Sequence, residues 1–331
     1  MTQVAPPARE DRIRGAIWGQ FVGDAAALGS HWFYDLDELA QVFPGGPVGF
    51  EPPPPGHYHA RRQPGDQTHY GDGALVLLDT VSRHGGFDPR VFGAAFIRVF
   101  EDPQYPGYLD KATKGTIANF RAFTNEHPVE DFDFQRGADD DQPATLTRIS
   151  ILVGRYAEVP LDDLMRLVDA LALVTQDNPT ARADARFSAL LLRFLIDGRS
   201  IEDGLDAAVD HLANVDPAAG KLVHEQVDSA RQAVGIDTTK ATLSFGQSCP
   251  LPYTVPSALH VLLRFPDDFE QAVTATLRAG GDSAARASMV GSWLGAHLGV
   301  NAVPAAWRSR LSNGGRISAE TEKILAGSRS A

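Results

Sequence analysis

Ala279-Gly280-Gly281-Asp282-Ser283-Ala284-Ala285-Arg286 opens a run that stays small and apolar as far as Gly299. The paired glycines permit a tight turn and a close backbone approach. Asp282 and Ser283 then stand where a helix begins, ahead of N–H groups that have no partner within the helix. Beyond them Ala287, Met289, Val290, Trp293, Leu294 and Leu298 alternate with Gly291, Gly295 and Ala296. Apolar and small residues on nearly every side predict a helix buried all round. Its opening has two readings: a carboxylate and bare amides placed to hold a ligand, or a plain helix cap.

Helical spacing extends outward from this run along most of the chain. Ile13 to Ala27 has an apolar face of Ile13, Ile17 and Phe21. Gly73 to Ser82, Pro89 to Phe100, Ala144 to Tyr156, Leu161 to Thr175 and Thr180 to Ile196 follow. Ile201 to Leu212, Ala218 to Val234, Val255 to Leu263, Phe269 to Ala279, Ala284 to Leu298 and Pro304 to Leu311 complete the set. Asp88-Pro89 and Asp216-Pro217 are helix starts by composition. Alternating β-branched segments at regular spacing are missing, so the expected fold is all-α. With no repeat and no sharp change of composition, residues 1–331 are expected to form one large domain, with 1–11 flexible and 312–331 peripheral.

Three connections are long. Phe43 to His69 carries Glu51-Pro52-Pro53-Pro54-Pro55-Gly56, which cannot pack as a helix. Thr124 to Gln142 is acidic and contains Asp139-Asp140-Asp141, most simply a solvated charge run. Asp237 to Pro256 holds Gly246, Pro250 and Pro252. Long connections inside a domain are commonly functional.

The overall balance narrows the function. Thirty basic against 42 acidic residues give a formal charge of −12, which argues against nucleic acid or an anionic membrane as partner. The lone Cys249 excludes an intramolecular disulfide framework and a multi-cysteine zinc site. Met1 to Asp11 lacks an apolar core of signal-peptide length, and no run has the length of a membrane span. A cytoplasmic protein acting on a small molecule is the resulting expectation.

Candidate chemistry gathers at three junctions that pair glycine with aspartate: Gly23-Asp24 through His31-Trp32, Gly65-Asp66 through Gly71-Asp72-Gly73, and Gly280-Gly281-Asp282. Acidic groups at element ends are a common way to line one cleft. His31 is either a general acid or base or a packed loop histidine among Trp32, Phe33 and Tyr34. Asp66, Gln67, Thr68 and Tyr70 either contact a ribose or diphosphate, or serve as turn and cap residues. Gly246-Gln247-Ser248 either offers amides to a phosphate or is a turn.

The order and spacing of these pieces resemble the ADP-ribosylglycohydrolase family, in particular the divergent branch that includes jellyfish lens crystallins and their bacterial relatives. The resemblance runs from about Arg12 to Trp307. It rests on Gly19-x-x-x-Gly23-Asp24-Ala25, Tyr70-Gly71-Asp72, Tyr105 through Thr116, Thr175-Gln176-x-Asn178-Pro179, Phe245-Gly246-Gln247-Ser248 and Gly280-Gly281-Asp282. It implies a compact all-α fold and hydrolysis of a glycosidic bond to ADP-ribose, typically with two Mg2+ or Mn2+ ions. By this resemblance His31 stands where a glutamate is usual. Tyr70 and Gly71 replace a threonine and an aspartate, while Asp72 is kept. Asp110 matches an aspartate ahead of the Gly115-Thr116 pair. Asp282 is kept, but Ala284 and Ala285 replace an aspartate and a threonine.

Three anionic ligands are thereby missing from one cluster. Two adjacent dications need several carboxylates around them, so a single ion on Asp72, Asp110 and Asp282 is expected over a pair, with no metal as the alternative. The resemblance implies a hydrolase with Asp72 and Asp282 as central anions, Asp110 supporting and His31 moving protons. Gly280, Gly281 and Ser283, together with Gly246 and Gln247, would bind the substrate, an ADP-ribosyl small molecule or an ADP-ribosylated partner. The rival is a non-catalytic ligand-binding or crystallin-like protein on the same fold.

Overall fold

The computed structural model describes residues 6–328. Within that range the regular elements are helices, joined by two isolated β-bridges, Phe33 with Gly281 and Ala138 with Gln176. The helices in chain order begin with α1 (Arg9–Ala27), α2 (Leu36–Val42), α3 (His69–His84), α4 (Pro89–Phe100) and α5 (Lys111–Glu126). Next come α6 (Ile149–Arg155), α7 (Leu161–Thr175), α8 (Pro179–Ile196), α9 (Ile201–Val215), α10 (Pro217–Ala233) and α11 (Thr238–Phe245). The last are α12 (Leu251–Arg264), α13 (Phe269–Arg278), α14 (Ser283–Leu298), α15 (Ala305–Arg308) and α16 (Gly314–Ser328).

Caps explain most of the starts. Asp88, Asn178 and Asp216 each accept backbone N–H bonds from the first turn of a helix that opens with proline. Asp35, Thr68, Asp110, Ser200, Asp237, Asp268 and Asp282 do the same without proline.

The centre is an antiparallel pair, α1 against α14. Every residue from Ser283 to Ala296 is buried, as the sequence predicts. Gly15, Gly19 and Gly23 of α1 face Gly295, Gly291 and Ala287 of α14, and a Cβ on any of these glycines would collide with a backbone carbonyl opposite. The backbones therefore approach closely, and the seam is specified by small residues spaced four apart. One hydrophobic cluster spreads from this pair, running from Ile13 to Leu325.

Several elements differ from the sequence reading. The helix α1 starts at Arg9, inside the stretch expected to be flexible, and residues 1–5 lie outside the described range. The stretch expected to be peripheral forms α16, which buries Ile317, Ile324 and Leu325. Three stretches given no helix, 36–42, 111–126 and 238–245, are helical. No helix among the described residues is long and apolar enough to cross a membrane.

Candidate functional site

The α1–α14 pair sets the site's position, because it brings the end of α1 beside the start of α14. The chain leaving α1 is tied there by two bonds: Trp32 N–H to the Gly281 carbonyl at 2.8 Å and Gly281 N–H to the Phe33 carbonyl at 2.6 Å. Gly280 and Gly281 take φ values of +66° and +62°, the left-handed region glycine enters without strain. Asp24, near the end of α1, fixes the third element. It accepts from Thr68 N–H at 2.7 Å and Thr68 Oγ1 at 2.5 Å, and with its amide correctly oriented Gln67 donates to it at 2.9 Å. This holds the first turn of α3 against α1. The start of α5 completes the ring, capped by Asp110, which accepts from Thr113 N–H at 2.7 Å.

Three of the expected carboxylates stand at these helix starts, each with partners of its own. Asp282 is fully buried and accepts from Tyr70 Oη at 3.0 Å. Burial raises its pKa, against the pull of the Arg286 guanidinium. Asp110 is buried and lies 3.7 Å from His69 Nε2. Asp72 accepts from Tyr105 Oη at 2.7 Å and pairs with Arg62. Burial raises the Asp72 pKa as well, while Arg62 and Tyr105 oppose the shift.

Imidazoles fill the space between these groups. His31 is fully buried and accepts from Ala284 N–H through Nδ1 at 3.2 Å. Its proton therefore sits on Nε2, which is buried without an acceptor among the described residues. The His59 ring lies 5.6 Å from that of His31 and 6.1 Å from that of His69. Both nitrogens of His59 and of His69 are buried and make no hydrogen bond with the described residues. Burial pushes His59 down to about 2 and His69 to about 4, and it lowers His31 and His57 too. All four rings are neutral at physiological pH. Trp32 covers the group, with its ring 4.1 Å from His31, 5.5 Å from His59 and 4.7 Å from Tyr108.

His57, His59 and Arg62 were not among the sequence candidates. They lie in the proline- and glycine-rich connection, where no helical period marks them. The only sequence signal is the density of ring and basic residues over 57–62.

Several predicted contacts take structural roles instead. Gln67 and Thr68 bind Asp24, and Asp66 closes a surface turn by accepting from Gln63 N–H and Ser312 Oγ. The first amides of α14 do not point at open space: Ser283 N–H is bonded to the Gly281 carbonyl, Ala284 to His31 and Ala285 to Asp282. The buried Ser283 Oγ has no partner among the described residues. Gln247 turns a carbonyl, not an amide, toward the cluster, and this oxygen accepts from Asp282 N–H at 2.9 Å. Its side chain donates to the Ala279 carbonyl, while Gly246 packs under Tyr253. The expected phosphate cradle at Gly246–Gln247 is thus a turn that braces Asp282. The charge run is also corrected. Asp140 is buried, bonded to Gln176, and pushed to about 6 by burial and by Asp110.

The donor set does not fit the divalent pair that the resemblance implies. Among the described residues no three His, Cys, Asp or Glu side chains are placed to share one ion. At Asp72 a guanidinium holds the position of a counter-charge. A side chain at Gly71, where the family carries an aspartate, would run into Asp24 and Gln67. Besides Asp110 and Asp282 the donors here are neutral imidazoles, poor partners for hard magnesium.

The ADP-ribosylglycohydrolase family profile matches residues 5–331. The chain belongs to the ADP-ribosylglycohydrolase family. Crystallin J1A of Tripedalia cystophora is 28% identical over 327 residues, covering 95% of this chain and 96% of the crystallin. Crystallin J1B of the same organism is 27% identical over 328 residues, covering 96% and 97%. A solved structure described as an ADP-ribosylglycohydrolase-related protein complex superposes with a TM-score of 0.72 at 22% identity, over 97% of this chain and 99% of the other. That last likeness shows the family's all-α fold.

Proposed function

We propose that this family member binds an ADP-ribosyl or related ribose-diphosphate ligand without a divalent ion. The observation that carries this reading is the Arg62–Asp72 pair. It satisfies with protein charge a carboxylate that a metal-dependent site would leave for an ion. The ligand's place is the groove of about 720 Å³ beside the cluster, lined by Tyr108, Lys111, Lys114, Asn119 and Gln142. Tyr108 offers a ring face for a base. The two ammonium groups suit a diphosphate, and the amides suit ribose hydroxyls.

Calorimetry of ADP-ribose into the purified protein tests this, once with excess chelator and once with Mg2+ or Mn2+. The expected result is saturable binding of equal affinity in both, with no turnover of ADP-ribosylated protein or small-molecule substrates. Turnover that appears only with the divalent ion overturns it.

A second reading, a metal-free hydrolase, is favoured by Asp72 alone. Its carboxyl is raised by burial yet remains 13% exposed at the edge of the cluster. A carboxylate so placed can stabilise the oxocarbenium-like state of a breaking glycosidic bond.

A further inference from the structure

Trp32 also lines a smaller pocket of about 330 Å³. Its walls are rings. Tyr58 stands nearly perpendicular to Trp32, at 84° with centroids 5.1 Å apart, and His57 lies parallel to Phe33 at 5.8 Å. Pro54 and Pro55 close one side. Among the described residues Glu38 supplies the one charged group in the lining, and no lysine or arginine joins it. Glu38 sits in the first turn of α2 beside Asp37 and the cap Asp35, all three exposed, so the approach is anionic. His57 adds no competing cation, because burial lowers its pKa and its Nδ1 accepts from His59 N–H at 3.1 Å.

Two further observations mark this as a built feature. Trp32 takes φ +64°, a left-handed conformation that is strained for a bulky residue. Its N–H bond to Gly281 holds it there. Tyr58, on the facing wall, is 66% exposed, a large ring left in water at a pocket mouth.

We propose that this pocket binds an organic cation, an alkylated ammonium group. Ring faces carry negative quadrupole potential and attract a weakly hydrated cation laid against them. The Glu38 carboxylate adds charge complementarity, and nothing in the described lining would satisfy an anion. The pocket shares no lining residue with the lysine-bearing groove, so the proposal stands whether or not ADP-ribose binds.

Choline is the probe, compared with its neutral carbon isostere, in which a tert-butyl group replaces the trimethylammonium. Both are titrated into the full chain by calorimetry. Choline is expected to saturate in the millimolar range, with the neutral isostere weaker by about tenfold. Tyr58→Leu and Glu38→Gln, both at exposed positions, are each expected to weaken choline by roughly fivefold with the unfolding midpoint unchanged. Equal binding of the isostere overturns the proposal, since the pocket would then be merely apolar. Absence of saturable choline binding overturns it as well, as does choline affinity unchanged in both variants.

Discussion

A buried imidazole that makes no hydrogen bond is an acid-sensitive element, and His59 is the clearest case. Above the ordinary pKa of 6.5 it is neutral in both folded and unfolded chains and has no effect on stability. Below 6.5 the unfolded chain takes up a proton that the folded one, with His59 held at about 2, cannot. Stability therefore falls as the pH is lowered, by about 1.4 kcal/mol per pH unit for this ring. Asp24 and Asp184, each pushed to about 7 by burial, act in the opposite sense, losing stability as the pH rises from 3.8 toward 7. Both contributions are common to wild type and variant. His59→Leu should therefore lose about 2 kcal/mol less than wild type between pH 7 and pH 5, measured by urea unfolding at the two values. Equal losses would mean that a bound group satisfies the ring. Asp72, Asp282 and His31 stand out in the sequence because each lies in a junction that pairs glycine with aspartate, whereas Asp110 enters only through the resemblance. Arg62 and His59 were not legible, because no local rule ties a residue in a proline-rich connection to a carboxylate that a helix presents. Their pairing exists only once α1 and α3 have docked.

The seam between α1 and α14 is written in small residues, and its tolerance follows from geometry. A methyl group at Gly19 would meet the Gly291 carbonyl, a rigid backbone atom inside a helix. Gly19→Ala should force the two helices apart and cost about 3 kcal/mol, despite alanine's better helix propensity. At Gly315, in the first turn of α16, an added methyl would meet no described atom within 4 Å. Gly315→Ala should instead stabilise by up to about 1 kcal/mol. Chemical denaturation of both variants checks the pair, and a neutral Gly19→Ala would mean that the seam can slide. Helices with a continuous apolar stripe, such as α4 and α7, could be read from sequence to the residue. Those that escaped, α2, α5 and α11, bury few side chains: α2 buries only Leu39, α5 Ala112, Thr113, Thr116 and Ile117, and α11 only Thr238, Ala241 and Thr242. Their starts come from the caps Asp35, Asp110 and Asp237, and a lone aspartate in a polar stretch is a weak signal. In α12, Pro256 sits inside the helix, so the sequence reading began one turn late.

Across the whole molecule, the hydrophobic cluster joins the first described helix to the last and leaves no separable half. A chain ending at Ala279 should therefore not retain a smaller native core. It would keep the segments of α1 to α13, yet Gly15, Gly19 and Gly23 would face water. Circular dichroism on heating should show loss of the cooperative transition, and size exclusion should show association in place of a sharp monomeric or defined oligomeric peak. A cooperative transition in the truncated chain would mean that the other helices form a core by themselves. The same architecture bears on how the protein is made. On the ribosome α1 is made long before α14 and finds its partner only after Leu298 has been added. At roughly 5–20 residues per second that interval is on the order of tens of seconds. Throughout it the nascent α1, nearly devoid of charge beyond Arg14 until Asp24, is a client for whatever shields newborn chains.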